Sequence, residues 1–146
     1  MKTGFLLFIV LFSSCDFVTI MSGSGTHGSI KEYSYNVNKD NLEAAILMII
    51  DSSDNIVELE NDMTNYFDIL INAEQSYVFV FRYYGDKDYW AANPHNSAFF
   101  IAYLKKKEEK IFRSNKELSR SEKEKALEVF EKYFVSKLDE NLRVRM

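Results

Sequence analysis

From Glu32 onward the apolar positions recur with two different periods, and each change of period marks a change of element. Tyr33, Tyr35 and Val37 alternate with polar neighbours, which predicts a first strand. Leu42, Ala45, Ile46, Ile49 and Ile50 then recur at three- and four-residue steps behind Asp40 and Glu43, a pair with capping-box spacing. An amphipathic helix ending near Asp51 is expected there. Ser52 to Asn55 is polar and reads as a turn, and Ile56 to Leu59 fits either a short strand or a helical continuation.

The middle of the chain reads as β-rich. Tyr66 to Ile71 and Tyr77 to Tyr84 are dense in aromatic and β-branched residues, and the five residues Asn72 to Ser76 between them suit a hairpin. A further strand is expected over Ala98 to Leu104 and another around Lys110 to Arg113, flanking the charged turn Lys105 to Glu109. Connections this local argue for antiparallel pairing, because parallel neighbours need crossovers of about a dozen residues or more. Last comes the capping box Ser119 and Glu122, followed by Ala126, Leu127, Phe130, Tyr133, Phe134 and Leu138 on one helical face. The expectation is an α+β domain over residues 32–146, with an antiparallel sheet of about four to five strands and two amphipathic helices packed on one face.

One strand does not fit a sheet with one wet side. Tyr77, Phe79, Phe81 and Tyr83 share one face, and Val78, Val80, Arg82 and Tyr84 share the other. Such a strand is central, with partial cover over its second face, or else that face is an aromatic platform for a partner.

The chain has 146 residues, 47% of them hydrophobic and 27% charged, which is enough for one domain. A net charge of −4 and a pI near 5.3 leave no basic surplus with which to neutralise a phosphate backbone, so nucleic acid is not expected as a partner. Its single cysteine cannot form an internal disulfide.

That cysteine stands in an informative place. Lys2 is followed by an unbroken apolar run from Phe5 to Phe12, then by Ser13, Ser14 and Cys15. Eight residues span only about 12 Å as a helix, against about 30 Å of bilayer hydrocarbon, so the run reads as the apolar segment of a secretory signal. Leu11, Phe12, Ser13 and Ser14 before Cys15 resemble the lipobox of bacterial lipoproteins, in the relaxed form seen in Bacteroidota. The resemblance covers about a tenth of the chain. It implies a signal peptide over residues 1–14, and Cys15 acylated as the first residue of the mature chain. It further implies attachment to the bilayer of the cell membrane or outer membrane, facing the periplasm or the exterior. The plainer alternative is an ordinary signal peptide cut near Ser14.

Residues 15–31 include the small, glycine-rich stretch Ser22 to Ser29 and read as a tether. Gly23, Gly25 and Gly28 match the spacing of the dinucleotide fingerprint, but no core strand precedes them and strand-like alternation follows, so no nucleotide site is expected.

The connection from Gly85 to Ser97 is thirteen residues long, more than a local strand connection needs. It holds the only tryptophan, Trp90, the only proline, Pro94, and one of two histidines, His95. Tyr84, Asp86, Asp88, Tyr89, Trp90, His95 and Asn96 are the candidate partner-binding residues, with the rings gripping a peptide or glycan and the polar groups around them. Alternatively, Tyr89 and Trp90 fold back to cap the core. Asp86, Asp88 and His95 lack metal-ligand spacing, and Ser97 beside His95 lacks any nucleophile motif, so neither metal, cofactor nor catalysis is expected. The pattern points to a membrane-anchored, non-enzymatic module that binds an envelope protein or glycan. The second reading is an immunity or inhibitor protein that neutralises a toxin or hydrolase.

Overall fold

The computed structural model describes residues 28–145; the expected signal peptide, Cys15, and the tether up to residue 27 lie outside them. The fold is α+β. Its elements are β1 (Lys31–Tyr35), α1 (Lys39–Ser52), β2 (Ile56–Leu59), β3 (Tyr66–Ile71), β4 (Tyr77–Tyr83), α2 (Lys87–Ala92), β5 (Ser97–Lys106), α3 (Arg120–Phe130) and α4 (Ser136–Arg145). A π turn over Glu131–Val135 joins α3 to α4 in one continuous helix. The five strands form one antiparallel sheet in the order β1-β5-β4-β3-β2. Strands β2 to β5 make a meander, and β1 closes the far edge beside β5. Helix α1 therefore crosses the sheet from one edge to the other.

Both long helices lie on one face, where five phenylalanines form the centre of the core. Phe79 and Phe81 of β4, Phe99 of β5, and Phe130 and Phe134 of the last helix are all fully buried. Phe130 lies 4.8 Å from Phe79 and 4.9 Å from Phe134 between ring centroids. Each such side chain contributes about 1.5–3 kcal/mol through area removed from water. Leu42, Ala45, Ile46, Ile49 and Ile50 seal the rest of this face from α1, as their spacing predicts. The last helix continues the seal through Leu138 and Leu142.

Several local expectations are corrected. The N-cap of α1 is Asn38, whose side chain accepts from the Asn41 amide at 2.8 Å. Asp40 lies within the first turn, and Glu43 pairs with Lys39 one helical turn before it, so the two acids form no capping box. Ile56–Leu59 resolves as an edge strand, with Ile56 opposite Ile71. Lys110 to Arg113 does not form a strand. Beyond Ile101 the outer side of β5 is clear of β1, and there Arg113 makes a single bridge to Leu104. The Arg113 guanidinium is drawn to Glu109 and Glu122, and the chain turns away into α3. The capping box of α3 is present as read, with Ser119 and Glu122 bonded reciprocally. Ile30 and Lys31, at the end of the expected tether, belong to the sheet: Ile30 is buried and donates its amide to the Ile101 carbonyl at 2.8 Å.

Neither long helix packs on the opposite face. Val78 and Val80 are nevertheless buried there, and so is Phe100. The Arg82 guanidinium lies 5.2 Å from the Phe100 ring centroid and 5.5 Å from that of Tyr66, and donates to the Tyr66 hydroxyl. Long side chains lying flat on the strands thus supply the cover, while Tyr103 and Val57 remain exposed. A bulge between Val80 and Phe81 shifts the pairing with β5 midway along this face.

Candidate functional site

The long β4–β5 connection contains a helix the sequence pattern did not announce. Asp86 caps α2 by accepting the Tyr89 amide at 3.0 Å, which commits its carboxylate to the fold. Gly85 sits at φ +84, and a Cβ there would come within 2.3 Å of the Tyr89 ring, so only glycine fits the turn.

Helix α2 separates the two aromatics adjacent in sequence. Trp90 turns inward: its ring meets Tyr83 edge-on at 6.5 Å and its Nε1 donates to the Tyr84 carbonyl at 2.8 Å. The Lys39 ammonium lies 5.0 Å from the ring centroids of both Tyr83 and Trp90, pinning the start of α1 to α2. The Tyr83 hydroxyl is buried without a hydrogen-bond partner, and burial pushes its pKa up, with Glu43 adding to the shift. Tyr89 instead packs edge-on against Tyr84 at 5.1 Å, half-buried. Asp88, His95 and Asn96 are exposed. The structure therefore brings Tyr84 and Tyr89 together, takes Trp90 into the margin of the core, and sends His95 elsewhere.

His95 and Pro94 form one wall of a groove of about 300 Å³, opposite Asn36, Val37, Asn38, Asn41 and Leu142. The groove continues along α4 into a second depression of about 330 Å³, where Ser34 and Tyr35 face Asp139, Leu142 and Arg143. Its floor is apolar at Val37 and Leu142, and its rim carries amides, the hydroxyls of Ser34 and Tyr35, and one charge of each sign at Asp139 and Arg143. Ser97 holds the floor in place by donating to the Val37 carbonyl at 2.7 Å. Burial pushes the Tyr35 hydroxyl pKa up, and the Asp139 carboxylate beside it pushes further, so that hydroxyl stays a proton donor at any physiological pH. A channel of this kind offers hydrogen bonds along its length and little chemistry, which suits an extended peptide or glycan chain.

Sequence reasoning reached this groove only through His95. Its other wall comes from Asn36, Asn38 and Asn41, three asparagines in six residues, and that cluster is the signal that could have marked it. Leu142 and Arg143 come from the far end of the chain and carry no local signal. Among the described residues no cluster of His, Cys, Asp or Glu has the geometry to hold a metal ion.

No protein-family model, curated protein or solved structure matches the chain.

Proposed function

We propose that this protein is a membrane-anchored envelope lipoprotein whose α+β domain binds an envelope protein or glycan without chemical turnover. The observation that carries the proposal is the position of the only cysteine, directly after the apolar run Phe5 to Phe12 and the small pair Ser13 and Ser14. Two or three acyl chains on Cys15 hold a protein on a bilayer at about 0.8 kcal/mol per buried methylene. No helix among the described residues is long and apolar enough to cross a membrane, so this anchor has no helical rival in the domain. The groove between Asn36–Asn41, Pro94–His95 and α4 is the surface on which the partner rests.

The test is metabolic labelling with radioactive palmitate. Wild type takes up label and fractionates with membranes, and Cys15→Ser loses both properties and accumulates as an uncut precursor. Label retained by Cys15→Ser would overturn the proposal.

A second reading, an immunity or inhibitor protein directed at a toxin or hydrolase, is favoured by the acidic balance of the chain and by the exposed Asp88, which precedes Tyr89 in α2. It differs in requiring a tight one-to-one complex with a single enzyme.

A further inference from the structure

The turn that follows β5 has a composition unlike the rest of the molecule. Lys105 to Lys116 holds six lysines and arginines against two glutamates, within a chain whose net charge is −4. Both glutamates are engaged locally: Glu109 accepts from the Lys106 amide and from Arg113, and Glu108 accepts from Gln75. Arg113 is likewise spent, on Glu109 and Glu122. Lys107 and Lys110 stay exposed and Lys106 partly so, with Glu74 the one exposed carboxylate in the β3–β4 turn that Ser76 ties to Lys107.

Backbone geometry then fixes an apolar residue among these charges. The paired hydrogen bonds between Arg113 and Leu104 lay the returning segment against the end of β5, and the two residues before Arg113 differ in exposure. Phe112 turns in beneath the Lys105 ammonium, 4.9 Å from its ring centroid. Ile111 turns out and is 75% exposed. Lys107, Glu108 and Lys110 are the exposed charges of the same turn, and an isoleucine displayed beside a lysine surplus is suited to the headgroup region of an anionic bilayer.

The place where the preceding chain meets the fold lies beside this turn. A Cβ on Gly28 would sit 3.9 Å from that of Asn115, and Ile30 donates its amide to the Ile101 carbonyl on the same strand that leads into the turn. Twelve residues separate Cys15 from Gly28, a span of at most about 45 Å. We propose that Lys106, Lys107, Lys110 and Ile111 form a second contact with an anionic lipid surface, which seats the domain on the membrane beside its own anchor. This rests on the membrane-anchored reading above. A lysine near such a surface strengthens partitioning about fivefold, so three act together by about a hundredfold.

The test uses the full-length protein, purified from membranes and reconstituted into vesicles. An environment-sensitive fluorophore is attached at Ile111→Cys and, for comparison, at Ala91→Cys on the exposed side of α2; the acylated Cys15 does not react. With vesicles containing about one third phosphatidylglycerol and a spin-labelled lipid, position 111 is expected to be quenched and position 91 not. The quenching is expected to fall several-fold in pure phosphatidylcholine and in the K106Q/K107Q/K110Q variant. If the protein floats with both vesicle types while position 111 is quenched no more than position 91, the contact is refuted and the anchor stands. If Cys15 proves free to react and the protein still binds phosphatidylglycerol vesicles with position 111 quenched, the anchor fails and the contact stands. Concentration-dependent self-quenching at position 111 without lipid quenching would assign the turn to a protein contact and overturn the proposal.

Discussion

On the helix-covered face of β4, Phe79 and Phe81 are buried by residues about 50 positions away in the last helix; on the opposite face, Val78 and Val80 are buried almost as deeply by side chains of their own and adjoining strands. The first kind of burial is close packing between layers, in which a lost ring leaves a cavity that rigid neighbours cannot fill. The second is a cover of flexible side chains, led by Arg82 across Tyr66 and Phe100, which can readjust when one member is removed. Equal burial therefore does not mean equal cost.

The largest effect belongs to the first face. Phe130→Asp places a charge among Phe79, Phe81, Phe99 and Phe134, which costs several kcal/mol against a total stability of about 5–15 kcal/mol, so urea unfolding should show no folded baseline. Glu128→Lys, on the exposed side of the same helix, should leave the transition in place. The margin of the core comes next. Trp90→Ala removes the ring that meets Tyr83 and Lys39 and should cost about 2–3 kcal/mol, whereas Tyr89→Ala should cost about 1 kcal/mol; equal losses in thermal melts would show that α2 does not divide the pair. Arg82→Ala, on the second face, should cost about 1 kcal/mol in the same melts, and a loss approaching that of a core ring would mean that this face is packed as rigidly as the first.

The smallest effect is set by pH. The Arg113 guanidinium, with Ser119, holds the Glu122 carboxyl at about 2, below its ordinary 4.5. Its contribution is complete above pH 4.5 and disappears as pH falls through 2. Wild-type stability should therefore decline more steeply over that interval than that of Glu122→Gln, and parallel curves would remove Glu122 from the ledger.

What could be read from the sequence depended on how local its cause is. The capping box at Ser119 and Glu122 is set by bonds three residues apart, and the stripe of α1 is set by its own period, so both were legible. The edge strand β2 was ambiguous because four residues carry barely one helical turn and only two repeats of the strand period. Lys110 to Arg113 looked like a strand, but only Arg113 finds a partner there, so its alternation earns a single bridge. The candidate site was legible in part. Tyr89 and Trp90 are consecutive, and an irregular loop leaves open whether both rings face one partner; a helix sets neighbours about 100° apart, and the cap at Asp86 makes that helix. The groove needed α4 brought against the β1–α1 connection, a contact between residues about 100 positions apart that no local pattern encodes.

The two faces and the groove describe a domain, and the central claim is that this domain is carried on a membrane by Cys15. Intact-mass measurement of the protein extracted from membranes addresses it most directly. The expected result is a chain that starts at Cys15 and carries a diacylglyceryl thioether, with or without a further amide-linked acyl chain. A chain that starts at any other residue, or one whose Cys15 thiol is free, would contradict it.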